Sequence, residues 1–150
     1  MFKLPAAALC LALAGCSSSA APESAVASRA ADLFAARTAY LGDNNRVLLL
    51  VNKTSPVTAG DFTIELQTAR PPLGLTVNIV RLGKPFAPTD WSQPATLLLG
   101  LIANVEQVTF TAGRDTVTFT AASASTTAGF DVKQLGKDQK VLADYLGKTD

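Results

Sequence analysis

Few side chains in this chain are equipped for catalysis. Its 150 residues include no histidine, which removes the Ser-His-Asp triad, the Cys-His dyad and the usual His-bearing zinc sites. Glu65 and Glu106 are the only glutamates besides Glu23. Two acids roughly 5–10 Å apart across a cleft can hydrolyse a glycosidic bond. Glu65, however, falls on an expected strand with its side chain outward, and Glu106 falls at the start of another, so solvated carboxylates are the expectation. Ser55, Ser92 and Lys53 supply the residue types for serine–lysine chemistry without a sequence context that supports it. No Walker-type or dinucleotide-type glycine loop occurs. Asp43-Asn44-Asn45 carries hard oxygens that suit calcium, but its spacing does not fit an EF-hand loop and helix capping explains it better. No enzyme, metal or cofactor is therefore expected.

The other reactive group is a thiol. The chain has two cysteines, Cys10 and Cys16. Lys3 is followed by an apolar run, Leu4 to Leu13, of about ten residues, within the range for a secretory signal and too short to span a bilayer. Small residues, Ala14 and Gly15, precede Cys16. The segment Leu13-Ala14-Gly15-Cys16 resembles the lipobox of bacterial lipoprotein precursors. That resemblance implies cleavage between Gly15 and Cys16, a diacylglyceryl thioether on Cys16 with palmitate-type chains, and attachment at the extracytoplasmic face. Two acyl chains hold firmly where one is marginal. Ser17, rather than Asp, follows Cys16, which implies the outer membrane if the cell has two. Cys10 would leave with residues 1–15 and lipid would consume Cys16, so a packed core, without a disulfide, must stabilise the rest.

The remaining Cys16–Asp150 stretch is long enough for one domain. Without Lys3 its basic and acidic residues balance at 12 each. No basic field exists to collect nucleic acid, and none is expected as a partner.

Residues 16–22 read as the lipidated Cys and a flexible tether, and 23–150 as a single α+β domain. Val26, Ala30, Leu33, Phe34 and Leu41 recur at helical spacing. Asp43 or Asn44 is placed to cap a second helix through Val47–Val51. Phe62, Ile64 and Leu66 alternate with polar residues, as do Leu75, Val77 and Ile79, which predicts a hairpin. Asp90 or Ser92 is placed to cap an almost wholly apolar helix from about Pro94 to Asn104, expected as the spine of the core. A second hairpin follows, with Val108, Phe110, Val117 and Phe119 inward and a turn at Gly113-Arg114-Asp115. Thr126 to Asp150 closes with helical spacing in Val132, Leu135, Leu142, Tyr145 and Leu146, interrupted at Gly136. The expected order is ααββαββα: a four-stranded antiparallel sheet with helices on one face, in which 44–81 and 93–121 form a possible tandem αββ pseudo-repeat.

The opposite face of that sheet would carry Thr63, Glu65, Gln67, Thr76, Asn78, Thr109, Thr111, Thr116, Thr118 and Thr120. It is either a solvated surface, since threonine suits strands, or a docking surface. Two further candidates are the turn with Gln67, Thr68 and Arg70, where Arg70 precedes two prolines, and the Lys84–Pro88 loop with Trp91.

Several segments are similar to an uncharacterised bacterial domain family, found in lipoproteins and at the outward-facing ends of some membrane metallopeptidase sensors. They are Tyr40-Leu41-Gly42-Asp43-Asn44-Asn45-Arg46-Val47, Leu66-Gln67-Thr68 with Pro72-Leu73-Gly74-Leu75, and Asn104-Val105-Glu106-Gln107-Val108. The similarity spans about Arg37 to Leu146, with Leu73 standing where the family pattern has Tyr. It implies a fold and an envelope setting and brings no activity. The expected function is a lipid-anchored, non-enzymatic interaction or accessory module with an envelope protein partner. The alternative is a small-ligand or glycan-binding sensor domain.

Overall fold

A computed structural model of the chain describes residues 22–150. Gly15, Cys16, the apolar run before them and nearly all of the tether lie outside the described residues. The elements are α1 (Pro22–Ala36), α2 (Asn44–Thr54), β1 (Phe62–Gln67), β2 (Gly74–Ile79), α3 (Ser92–Leu101), β3 (Gln107–Ala112), β4 (Asp115–Thr120), α4 (Ala121–Ala128), a 3₁₀ turn (Val132–Gly136) and α5 (Gln139–Thr149). Among the described residues no helix is long and apolar enough to cross a membrane.

The strands lie in the order β1-β2-β3-β4. The two hairpins are antiparallel, as the short turns between the alternating runs predict. The seam between them is parallel, with Gly74 opposite Gln107 and Asn78 opposite Thr111. The expected all-antiparallel sheet is therefore corrected to a mixed one. The cause is α3, which carries the chain back across the sheet so that β3 starts at the same end as β2. Simple repetition of one αββ unit would alternate strand direction throughout, so the tandem repeat does not describe this topology.

The hairpin turns follow local chemistry. Ala112 pairs with Asp115, leaving Gly113-Arg114 as a two-residue turn. Gly113 has φ 62°, a value that suits the first position of a primed turn. α2 starts where Asp43 accepts from the Arg46 N–H at 3.2 Å.

The C-terminal part differs from one interrupted helix. β4 runs straight into α4, with Thr120 and Ser123 capping each other's backbone N–H groups at 3.0 Å. Gly129, at φ 78°, ends α4. Val132 and Leu135 belong to the 3₁₀ turn, and α5 starts afresh at the Asp138 cap. Leu41 is buried, but α1 stops at Ala36. The chain is turned there by Thr38, which bridges to Ile102 beside the end of α3.

All helices lie on one side of the sheet. α3 is the spine: every residue from Pro94 to Leu101 is buried. It passes so close to the 3₁₀ turn that a Cβ on Gly100 would sit 2.5 Å from the Val132 carbonyl, and one on Gly136 would sit 2.5 Å from the Gly100 carbonyl. Lys133 fastens this crossing. Its ammonium donates to the carbonyls of Leu99 at 2.6 Å, Ile102 at 3.1 Å and Val105 at 2.5 Å. α1 lies mainly along α5.

Candidate functional site

A cleft of about 660 Å³ opens where α3, β4, α4 and α5 meet. That volume falls within the roughly 300–1,000 Å³ of small-molecule sites. Each element contributes for a local reason. β4 sends Phe119 to the helix side. α4, with the sequence AASASTTA, presents only small side chains, among them Ala124, Thr127 and Ala128, which leaves room beside it. The chain then turns at Gly129 and brings Phe130 to the edge of the cleft. α5 supplies Val141 and Tyr145, and α3 supplies Thr96. Phe130 and Tyr145 meet edge to face, ring centroids 6.2 Å apart. Burial holds the Tyr145 phenol above its ordinary pKa, opposed by a hydrogen bond with Thr96.

Most polar groups around the cleft already have partners. The Ser92 hydroxyl donates to Asp90 at 2.6 Å, which holds the Asp90 carboxyl below its usual value. Ser123 donates to the Thr120 carbonyl at 3.0 Å. Thr149 donates to the Tyr145 carbonyl at 3.1 Å and accepts from Gln93 at 2.9 Å. Asp144 is paired with Lys140 at 2.8 Å. Lys148, at the rim, has no ion-pair partner among the described residues.

The sequence candidates fall elsewhere. The polar sheet face is uncovered among the described residues: Thr63, Glu65, Gln67, Thr116, Thr118 and Thr120 are exposed, and Thr76, Asn78, Thr109 and Thr111 are half-buried. It hydrogen-bonds to itself. Asn78 donates to Glu65 at 2.8 Å, Thr111 donates to Asn78 at 3.2 Å, and the Thr109 and Thr118 hydroxyls pair at 2.9 Å. Thr68 and Arg70 lie exposed in the β1–β2 loop. Trp91 is 4 % exposed and stacks between Phe86 and Phe110 with centroids 4.9 Å from each. Its indole N–H donates to the Phe86 carbonyl. Trp91 is thus a core residue and not part of an accessible ligand surface.

Glu65 and Glu106 sit on non-neighbouring strands of the sheet or their flanks, and both have structural partners. Glu106 accepts from the Leu73 N–H at 2.7 Å. Among the described residues no cluster of acids could hold a metal ion, and Asp43 is occupied as a helix cap. The family-like segments meet one another through backbone bonds: Leu41 donates to the Asn104 side chain at 2.7 Å, and the Leu73 carbonyl accepts from Glu106 and Gln107. These segments hold loops together.

Sequence reasoning missed the cleft. Its one signal is the run of small residues at Ala121–Ala128 between two aromatics, Phe119 and Phe130. A helix so built has a shallow face that its neighbours cannot fill.

The family model described as a domain of unknown function, DUF4825, matches residues 33–125. That is more than half of the chain, and the chain belongs to this family. The match includes β4 and the start of α4 but stops before Phe130 and α5, so one wall of the cleft lies outside it. No curated protein and no solved structure matches the chain significantly.

Proposed function

We propose that this domain is a non-enzymatic binding module held at the extracytoplasmic face of a bacterial membrane by lipid on Cys16, and that its ligand enters the α3–β4–α4–α5 cleft. The observation that carries this reading is the cleft itself. It offers a concave apolar floor, with Phe119, Phe130 and Tyr145 around it, and aromatic anchors in pockets dominate binding energy. The absence of histidine and the structural bonds of Glu65 and Glu106 support a module without catalysis. The apolar run ending at Cys16 supports the anchor and, with Ser17, an outer-membrane address in a cell with two membranes.

A direct test has two parts. Membrane fractionation of the wild-type and Cys16→Ser chains reads the anchor: the first is expected in the membrane fraction and the second outside it. Thermal melting of the Cys16→Ser chain with envelope-derived compounds reads the cleft, because a ligand that binds only the folded state raises the melting temperature. No shift with fatty acids, cell-wall fragments or peptides would argue against a ligand site.

A second reading places an envelope protein on the uncovered sheet face, which presents eleven polar side chains, Gln107 among them, and no bulky apolar one. Threonine is under-represented among residues that dominate protein interfaces, so this face ranks behind the cleft. Crosslinking and capture with Thr76→Glu and Thr118→Lys chains decides the point. Loss of one partner in both would place the interface there, and unchanged capture would leave it a solvated surface.

A further inference from the structure

We infer that the cleft accepts the acyl chain of a single-chain lipid drawn from the adjacent membrane, a reading that rests on the proposed binding site and anchor. The first argument is hydrogen-bond economy. A sugar or peptide presents donors and acceptors that need free partners. The hydrogens of Ser92, Ser123 and Thr149 are committed to Asp90, the Thr120 carbonyl and the Tyr145 carbonyl, and Thr96 is buried. Apart from the Thr127 hydroxyl at the opening, what the cleft still offers is mainly apolar surface: Phe119, Ala124, Ala128, Phe130, Val141 and the Tyr145 ring. Its occupant therefore needs length and apolar area and few polar atoms, and its headgroup can stay at the rim beside Asp144 and Lys148.

The second argument is position. α1 and α5 run side by side in the same direction, for Val26 lies 4.0 Å from where a Gly147 Cβ would sit and Arg29 pairs with Asp150 three residues further along both helices. The start of α1 is thus level with the middle of α5, the stretch that carries Val141, Asp144 and Tyr145. The six residues from Cys16 to Ala21 extend at most about 20 Å. An anchor at Cys16 consequently keeps the start of α1, and with it the middle of α5 that forms one wall of the cleft, near the bilayer surface, where a single-chain lipid can be drawn from it.

The experiment uses the full chain carrying Cys16→Ser, titrated with the fluorescent fatty acid cis-parinaric acid below its micellar concentration. A saturable rise at one probe per chain is expected, reversed by palmitic acid and not by chitotetraose. Thr127→Trp, which puts an indole across the opening from an exposed position on α4, and Val141→Asp, which puts a carboxylate on the floor, are each expected to weaken the probe at least tenfold. Circular dichroism confirms that the variants are folded. Absence of saturable uptake overturns the inference, as does unchanged affinity in both folded variants or displacement by chitotetraose. Stabilisation by a non-lipid compound without probe uptake would keep the cleft as a binding site and reject the acyl chain. Photo-crosslinking of diazirine-palmitate to the Phe130 and Tyr145 peptides in the Cys16→Ser chain, with the lipidated chain in vesicles protected, would reject a membrane-derived occupant and assign the cleft to the chain's own lipid.

Discussion

Replacing Lys133 with Met tests how α3 is held against the 3₁₀ turn. Methionine keeps the unbranched stem and removes the ammonium that donates to three carbonyls. A hydrogen bond to a charged group contributes about 1.5–3 kcal/mol, so three at the low end contribute about 4–5 kcal/mol. Against this stands the burial of the ammonium, which lowers Lys133 from 10.5 to about 8, opposed by the charges of Asp131 and Glu106. A drop of that size disfavours the charged form by roughly 3 kcal/mol, and because water still reaches the half-buried side chain we discount it to about 2 kcal/mol. The expected net loss is about 2–3 kcal/mol, or roughly 6–10 °C in melting temperature for a domain of this size. The assay is thermal melting of both chains from pH 7 to 10.5. Above about pH 8 the folded protein gives up the Lys133 proton while the unfolded chain keeps it up to 10.5. The unfolded state then binds more protons, and wild-type stability gains with pH across that window. The gap between the two chains should therefore widen from pH 8 to 10.5. Equal melting temperatures at pH 7, or a gap that does not change with pH, would refute the assigned role.

Other expectations are read by simpler measurements. Gly100→Ala places a methyl 2.5 Å from the Val132 carbonyl and should cost about 3 kcal/mol by forcing packed backbone apart; Gly42→Ala, which meets nothing within 4 Å, should stay within about 0.5 kcal/mol in the same urea titrations. Asp43→Ala removes the cap of α2 and should cost about 1 kcal/mol, seen as a lower urea midpoint at unchanged slope. Arg29 holds the Asp150 carboxyl below its ordinary value, helped by Gln93, so this contribution is complete above pH 3.8 and is lost as pH falls through the lowered value; Asp150→Asn should flatten that acid limb of the stability curve. Glu65→Gln and Glu106→Gln should leave ligand uptake by the cleft unchanged, and loss of uptake in either folded variant would move the site to the sheet.

The sequence shows the strands because each has one buried face: Phe62, Leu75, Val77, Val108 and Phe110 alternate with polar neighbours, and a period of two admits no other reading. It does not show which way the hairpins join, since alternation is the same in parallel and antiparallel pairs. That choice is made by where α3 docks. α3 itself is legible from its run of leucines. α4 is hidden, because Ala, Ser and Thr carry no apolar period, and Val132 and Leu135 are three apart, a spacing that α and 3₁₀ turns share. Leu41 continues the period of α1 by coincidence, its burial coming from the Thr38 bridge instead. The candidate site was illegible for a related reason. A cleft is made where side chains are small, and sequence patterns report the large ones.

The parallel seam also sets the order in which the molecule can assemble. Each hairpin joins strands separated by a short loop, six residues in one and two in the other, whereas the seam pairs Gly74 with Gln107. Closing that longer span costs more chain entropy, and the intervening α3, which packs against β3 and β4, must dock before the seam can close. Assembly should therefore proceed as two local zippers and one late closure gated by α3. A chain whose α3 docks poorly, such as Gly100→Ala, would retain two finished hairpins with open edges, and at high concentration the edge of one molecule can complete the sheet of another. Exchanged dimers of that variant, which come apart only on unfolding, are the expected signature of this topology.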